Sequence, residues 1–282
     1  MSAQSAGGDT GDVSRHGSRE FNLIEDWLKE IGGFDFSPQN HNMLRSRLRR
    51  VMKQFEIRTF ADLGAKLRSK EGLDVQSAVV EAVTTNHTKF FREKAVLSYF
   101  ESSILPRYKP GSRLRIWSAA CSTGEEAYSL AIIASRQLGQ VDASRQISIL
   151  GTDISQTVVD AAALGQFNSK QIANLSSSQI QQFFNTGDSN TFKVNAPLRR
   201  MCTFRRLNLN ANKYPFNNQF DVVFCRNVLY YLAPEVQSEI LVKIHERTKT
   251  HGWLITSVAE SVRNLEALWE PVAIGVYRRV GD

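Results

Sequence analysis

The residues at 113–136, RLRIWSAACSTGEEAYSLAIIASR, join an accessible backbone to paired carboxylates. Leu114, Ile116 and Trp117 signal a short strand. A run of small residues follows from Ser118 to Gly124, and Ala127, Leu130, Ala131 and Ala134 then recur at helical spacing. Strand, small-residue turn and helix open a nucleotide-binding α/β domain, where the backbone closes on a ligand and the helix start offers unpaired N–H groups. Glu125 and Glu126 bear on which ligand. Two acids at a helix start also satisfy the helix dipole on their own. As ligand-facing groups they repel a pyrophosphate and suit a molecule with ribose hydroxyls and a positive charge. The turn lacks the G-x-G-x-x-G pattern. A further acid, Asp153, sits in the buried-strand signal ISILGTDI at 147–154. There two acceptor oxygens can meet a vicinal diol.

These acids need a sheet to hold them. Strand signals recur at 220–224 (FDVVF, running into Cys225-Arg226-Asn227), at 252–257, and at 272–279 as a closing strand, with helices expected at 157–164 and 234–246. Such alternation predicts an α/β domain with a mostly parallel sheet covered on both faces. Between about 165 and 205 the alternation lapses. Ser176–Gln179 caps a short helix, 185–190 are polar turns, and 191–194 and 201–205 are β-like. An inserted β-subdomain with its own small sheet is expected, for partner recognition or as decoration.

Ahead of the sheet, Phe21, Ile24, Leu28 and Ile31 mark a helix stopped by Gly32-Gly33. Ser37-Pro38 opens a second helix to about Phe55, Thr59 with Asp62 caps a third, and 75–83 suggests a fourth. The expected domains are an all-helical one at 20–90 and a ligand-binding one at 91–282. Residues 1–19 are read as a disordered polar tail without the apolar region of a signal peptide. The second helix buries Leu44, Leu48, Val51 and Phe55, and its other faces carry Arg45, Arg47, Arg49, Arg50 and Lys53 with no acid among them. This is either a solvated face or a docking surface for an acidic partner.

The chain has 282 residues, 42% of them apolar, enough for one core and a smaller domain. No apolar run approaches the ~18 residues that span a bilayer. Three scattered cysteines without C-x-x-C spacing argue against a metal site or disulfide frame and favour a reduced, cytoplasmic setting. The net charge of +7 leaves nucleic acid, acidic protein and anionic membrane open as partners.

Five pieces together resemble the CheR family of S-adenosylmethionine (SAM)-dependent methyltransferases, which esterify glutamates of chemotaxis receptors. They are TTNHTKFFRE (84–93), WSAACSTGEEAYSLAI (117–132), GTDIS (151–155), LNL (207–209) and FDVVFCRNVLYYL (220–232). They stand in family order over roughly residues 20–280. The resemblance implies a helical N-terminal domain, then a SAM-binding Rossmann-like domain with an inserted β-subdomain. It implies SAM contacts from Asn86, Thr88, Arg92, Glu126, Asp153, Asn208, Leu209, Arg226 and Asn227. Asp153 would accept from the ribose, Asn208 and Leu209 would lie near adenine, and Asn227 near the methionine end. Tyr231 matches a family tyrosine near the methyl site. VLYY departs slightly from the family, which carries a smaller aliphatic residue before the tyrosine. Each of these has a plainer reading: asparagines cap turns, aromatics after a strand are core, and Arg92 can pair with Glu93 or Asp153.

Methyl transfer from a sulfonium to a carboxylate is an in-line displacement. A glutamate with an ordinary pKa of ~4.3 is already ionised at neutral pH, so no general base is needed. The five histidines are scattered, and no Ser-His-Asp or Cys-His arrangement stands out. The reaction needs placement, which can be worth ~7–11 kcal/mol. Arg92 is the candidate for orienting the substrate carboxylate through its planar fork. Arg45, Arg49 and Lys53, at i, i+4 and i+8, would dock the glutamate-rich receptor helices. The expected product is S-adenosylhomocysteine, with no metal, and a receptor C-terminal peptide is a further possible partner of the β-subdomain. Two rivals remain. A nucleic-acid methyltransferase would carry an N/D-P-P-Y/F-type motif where Cys225-Arg226-Asn227-Val228 stands. A non-catalytic SAM-binding scaffold fits poorly with intact Arg92, Glu126, Asp153 and Asn227. No repeat or tethering domain is expected after the catalytic domain.

Overall fold

The computed structural model describes residues 11–84, 88–109, 111–187, 190–262 and 265–281, with side chains from residue 19 onward. The chain forms two compact units, dividing between residues 85 and 86.

The first unit is helical: α1 (Gly11–Gly32), α2 (His41–Gln54) after a 3-10 turn at Pro38–Asn40, α3 (Phe60–Arg68) and α4 (Leu73–Val83). Its core is built from apolar stripes at helical spacing. Phe21, Ile24 and Leu28 of α1, Leu44, Leu48 and Val51 of α2, Leu63 and Leu67 of α3, and Val75, Val79 and Val83 of α4 are all buried. Thr59 and Asp62 cap α3 reciprocally: Thr59 Oγ1 accepts from the Asp62 amide at 3.1 Å and Asp62 Oδ2 from the Thr59 amide at 3.2 Å. Two expectations change. The backbone of α1 is already helical from Gly11, within the stretch read as a disordered tail. Phe55 ends α2 half-buried rather than extending its buried stripe.

The second unit begins with α5 (Lys94–Tyr99), which continues through a π turn at Phe100–Ile104 and a 3-10 turn at Leu105–Arg107. Next come β1 (Leu114–Ser118), α6 (Glu125–Leu138), α7 (Gln140–Gln146), β2 (Ile147–Asp153) and α8 (Gln156–Leu164). The insertion holds β3 (Gln166–Asn168), α9 (Ser177–Phe183), β4 (Phe184–Thr186), β5 (Thr191–Val194) and α10 (Ala196–Met201). The chain ends with β6 (Cys202–Arg206), β7 (Phe220–Phe224), α11 (Pro234–Arg247), β8 (Thr248–Ile255), β9 (Trp269–Ala273) and β10 (Val276–Arg279). The main sheet runs β6-β2-β1-β7-β8-β10-β9. Its first five strands pair in parallel, and β10 lies antiparallel between β8 and β9. A mostly parallel α/β sheet is what the alternation requires.

Three local readings are corrected. Residues 201–205, expected in the inserted sheet, instead supply β6, the edge of the main sheet, in register with β2 from Ile149↔Cys202 to Asp153↔Arg206. Phe204 packs there against the bare face of Gly151, where a Cβ would come within 2.5 Å of its ring. The inserted sheet is β3-β5-β4, all antiparallel, and takes its third strand from 184–186. The expected closing strand is a hairpin, β9–β10, turned at Ile274-Gly275.

The carboxyl ends of β1, β2, β7 and β8 lie side by side, where open α/β sheets bind ligands. The turn after β1 is tight: Ser122 and Gly124 both have positive φ, +48° and +95°. A Cβ on Gly124 would sit 3.0 Å from the Ala162 Cβ of α8. Gly124→Ala should therefore destabilise the protein by about 1–3 kcal/mol, read by urea unfolding. Wild-type stability in that variant would remove the strain argument.

Candidate functional site

Three loops after the parallel strands meet the segment around Phe91–Glu93. Ser118 at the end of β1 donates its hydroxyl to Glu126 Oε1 at 2.7 Å. Asp153, closing β2, is buried and accepts from the Ser122 amide at 3.0 Å and the Ser155 amide at 3.1 Å. Burial pushes its carboxyl above the ordinary value against the amides of Ser155, Ser122 and Ile154. Glu125 faces away from the strand ends. It accepts from Thr123 Oγ1 at 2.6 Å and Gln171 Nε2 at 3.1 Å, tying the turn to the insertion, and burial raises its carboxyl too. Its neighbour Glu126 turns the opposite way, toward Ser118 and Arg226, so the two adjacent acids have different tasks.

Arg226, after β7, is the hub. Its side chain is 2% exposed, and Nη1 donates to Glu126 Oε2 at 2.7 Å. Nη2 donates to the Arg92 carbonyl at 2.7 Å and lies 3.3 Å from Glu93 Oε2. Glu93 is gripped from three sides: Asn227 Nδ2 at 2.8 Å, Ser257 Oγ at 2.9 Å and the Val258 amide at 3.1 Å. Burial alone would raise its carboxyl. Hydrogen bonds from Asn227, Val258 and Ser257, with the charge of Arg226, outweigh burial and hold it below the ordinary value. The segment carrying Glu93 is strained, with φ of +52° at Phe91 and +55° at Glu93. The Phe91 amide is held by Ser129 Oγ at 2.9 Å, and the Phe90 carbonyl by Asn174 Nδ2 of the insertion.

Glu260 was not singled out by the sequence. It is buried in the turn after β8 and takes four backbone amides: Val228 at 2.9 Å and Leu229 at 2.8 Å on Oε1, Asn227 at 2.9 Å and Ser257 at 3.0 Å on Oε2. Burial raises its carboxyl against these four amides. No residue pattern in VAES would have marked it, since three of its four partners lie 31 to 33 residues upstream.

The structure thus brings together Arg92, Glu126, Asp153, Arg226 and Asn227. The Arg92 side chain is 32% exposed, with Nε 4.0 Å from Glu93 Oε1. No ion pair between Arg92 and Asp153 is seen among the described residues. Thr88 is half-buried. Asn208 accepts at Oδ1 from the Asn210 amide at 2.9 Å, and Leu209 is buried with its carbonyl bonded by the Tyr214 hydroxyl at 3.0 Å. Tyr231 is half-buried beside the exposed Tyr230, ring centroids 4.3 Å apart. Asn86 lies outside the described residues. In the helical unit Arg49 and Lys53 are exposed. Arg45 is half-buried, its guanidinium 3.8 Å from the centre of the Phe21 ring. The exposed charge of that face therefore narrows to Arg49 and Lys53.

The chemistry of this donor set fits SAM. Among the described residues of these loops, Glu93, Glu126, Asp153 and Glu260 stand with two guanidiniums, Arg92 and Arg226, an excess of acid that suits a cation and repels phosphate. Ser122 Oγ, beside Asp153, is buried without a hydrogen-bond partner among the described residues. No group of three or more His, Cys, Asp or Glu among the described residues could hold a metal ion.

Comparison with known proteins agrees. Residues 86–277 match the family model described as CheR methyltransferase, SAM binding domain, and residues 19–84 match CheR methyltransferase, all-alpha domain. The fold and site define a SAM-dependent methyltransferase. The chain belongs to the CheR family. It is 33% identical over 254 residues to chemotaxis protein methyltransferase 1 of Pseudomonas aeruginosa, covering 87% of this chain and 91% of that protein. It is 31% identical to chemotaxis protein methyltransferase Cher2 of Pseudomonas putida, with 88% and 92% covered. With the chemotaxis protein methyltransferase of Borreliella burgdorferi it shares 30% identity, with 83% and 86% covered.

Two outcomes follow from the hub. Arg226→Met leaves Glu93 and Glu126 without their buried cation and should cost about 3–5 kcal/mol; a denaturation midpoint unchanged from wild type would contradict it. Because the folded Glu93 carboxyl titrates below its unfolded value, its stabilisation is complete above the ordinary carboxylate range and fades as pH falls through the folded value. The stability gap between wild type and Glu93→Gln should therefore shrink between about pH 7 and about pH 3. A gap independent of pH would rule this out.

Proposed function

We propose that the chain transfers the methyl group of SAM to glutamate side-chain carboxylates of chemoreceptors, in the cytoplasm, yielding glutamate methyl esters and S-adenosylhomocysteine. The observation that carries this reading is Arg92, a partly exposed guanidinium among strand-end loops in which acids outnumber guanidiniums. A cation there suits an incoming carboxylate, and the acids behind it suit a cationic cofactor. The named chemotaxis methyltransferases among its relatives support the same reading.

Bound SAM supplies a methyl group already activated by the sulfonium charge. The chain's residues bind and orient. Asp153 accepts from ribose hydroxyls, Asn208 and Leu209 border the adenine, Asn227 lies toward the methionine end, and Asn86 and Thr88 are assigned as further SAM contacts. Arg226 contributes at one remove, since Glu126, Glu93 and the Arg92 carbonyl already engage its terminal nitrogens. Arg92 aligns the substrate carboxylate for in-line attack, with Tyr231 bordering the methyl. The ionised carboxylate needs no base, so catalysis rests on placement. Too tight a pairing with Arg92 would blunt the nucleophile, and its partial exposure keeps the contact weak.

Arg49 and Lys53 form the docking face for glutamate-rich receptor helices, with Arg45 contributing from its seat on Phe21. The small β3-β5-β4 sheet is the surface we assign to a receptor C-terminal peptide, which could add as a strand at its edge.

The direct test incubates the protein with methyl-labelled SAM and chemoreceptor-bearing membranes, then treats the product with mild base. Volatile methanol released from a receptor-sized band is expected for a carboxyl ester. Base-stable label, or label in RNA, would overturn the proposal. Arg92→Ala should lower turnover about tenfold or more while SAM binding falls less; equal turnover removes its assigned role. Reversing Arg49 and Lys53 to Glu should weaken receptor methylation and leave SAM affinity unchanged. Undiminished receptor methylation in that double variant would exclude the docking face.

A further inference from the structure

We infer that Glu260 is a positioning residue for methyl transfer, its carboxylate serving as the template on which the backbone at 227–229 is folded beside the Arg92 segment. This rests on the reading that Asn227 and Tyr231 face the cofactor and the reacting carboxylate. Each Glu260 oxygen takes two amides, from Val228 and Leu229 on one and from Asn227 and Ser257 on the other. Asn227 is held there at a φ of +58°, a conformation costly for a residue with a Cβ unless its surroundings impose it. From that backbone its side chain reaches Glu93 Oε1 at 2.8 Å. The next residues form a short 3-10 turn, Leu229–Tyr231, which sets the place of Tyr231.

Glu260 is itself fixed. Its amide donates to the Ser257 carbonyl at 3.0 Å, and the Thr256 hydroxyl donates to its own carbonyl at 3.2 Å. Ser257 also donates its hydroxyl to Glu93 at 2.9 Å. The turn after β8 therefore carries one carboxylate and binds another. Glu260 and Glu93 divide the work: the first shapes the loop after β7, and the second docks the Arg92 segment onto it.

The carboxylate is chemically specific here. Both oxygens act only as acceptors, and neither has room for a donor, because each already faces two N–H groups. A glutamine of the same shape would turn an amide N–H₂ against two backbone N–H groups and lose two of the four bonds. A purely architectural role would make Glu260→Gln lower the unfolding midpoint, and with it the fraction of competent molecules. The affinity of the competent ones would stay the same. A positioning role changes the affinity itself.

The test is calorimetric titration of the full-length protein with S-adenosylhomocysteine, beside SAM-dependent KM and kcat. Glu260→Gln should raise both Kd and the KM for SAM by about tenfold or more at near-unit stoichiometry, with cooperative unfolding retained. Binding and turnover within about twofold of wild type, or a fall in stoichiometry at unchanged Kd, would overturn the inference. If Glu260→Gln does not fold, Glu260→Asp carries the test. It keeps both acceptor oxygens but withdraws them by one methylene, and a folded variant should still show a raised Kd. An unchanged Kd in Glu260→Asp would overturn the assignment equally. Wild-type protein that binds no S-adenosylhomocysteine would instead bring down the cofactor reading, and this inference with it.

Discussion

A guanidinium almost sealed from water must be neutralised where it lies, and in this protein that requirement shapes the site. Arg226 reaches Glu126 at the start of α6, Glu93 in the segment before α5, and the carbonyl of Arg92. Desolvating one cation and two carboxylates is expensive unless their geometry is nearly complete. The three segments are therefore held in one arrangement, because separating any of them strands a buried charge. Glu260 and Asp153 extend the principle, as buried carboxylates paid for by backbone amides instead of cations.

Backbone strain collects at the same place. Phe91, Glu93, Ser122 and Asn227 all have positive φ, and each touches the network through its amide, its carboxylate or its side-chain amide. Conformations of this kind cost about 1–3 kcal/mol each and persist where surrounding bonds over-determine them. The rigid parallel sheet supplies the frame, and the acceptors on Glu93, Asp153 and Glu260 supply the constraint. The loops are thereby held in one arrangement by groups of the chain itself. For the transfer to a carboxylate proposed above, in which neither partner needs activating, placement is what a protein can most usefully contribute.

The insertion is joined to this network as well as to the sheet. Gln171 bonds Glu125, Asn174 holds the Phe90 carbonyl, and the Phe90 ring meets Phe167 and Phe184 edge-on, with centroids 4.9 and 5.6 Å away. A shift of the small sheet would be felt by the segment that carries Arg92. That gives a physical route by which events at the insertion could reach the Arg92 segment.

What the sequence determined by itself was local. The apolar stripes of α1 to α4, the reciprocal caps at Thr59–Asp62 and Ser176–Gln179, the buried strands and the acid closing β2 all follow from periods and neighbours a few residues apart. The mostly parallel sheet follows from their alternation. Tertiary structure decided what depends on partners far along the chain. Residues 202–206 look like any short half-buried strand, and only pairing with β2 places them at the main sheet's edge. Arg45 reads as one more exposed cation until Phe21 comes beneath it. Arg226 reads as a ligand contact, and only the fold shows its terminal nitrogens engaging Glu93, Glu126 and the Arg92 carbonyl. Glu260 reads as nothing at all, because a carboxylate's role is set by the donors that surround it, and its donors at 227–229 are assembled only when β7 and β8 pair.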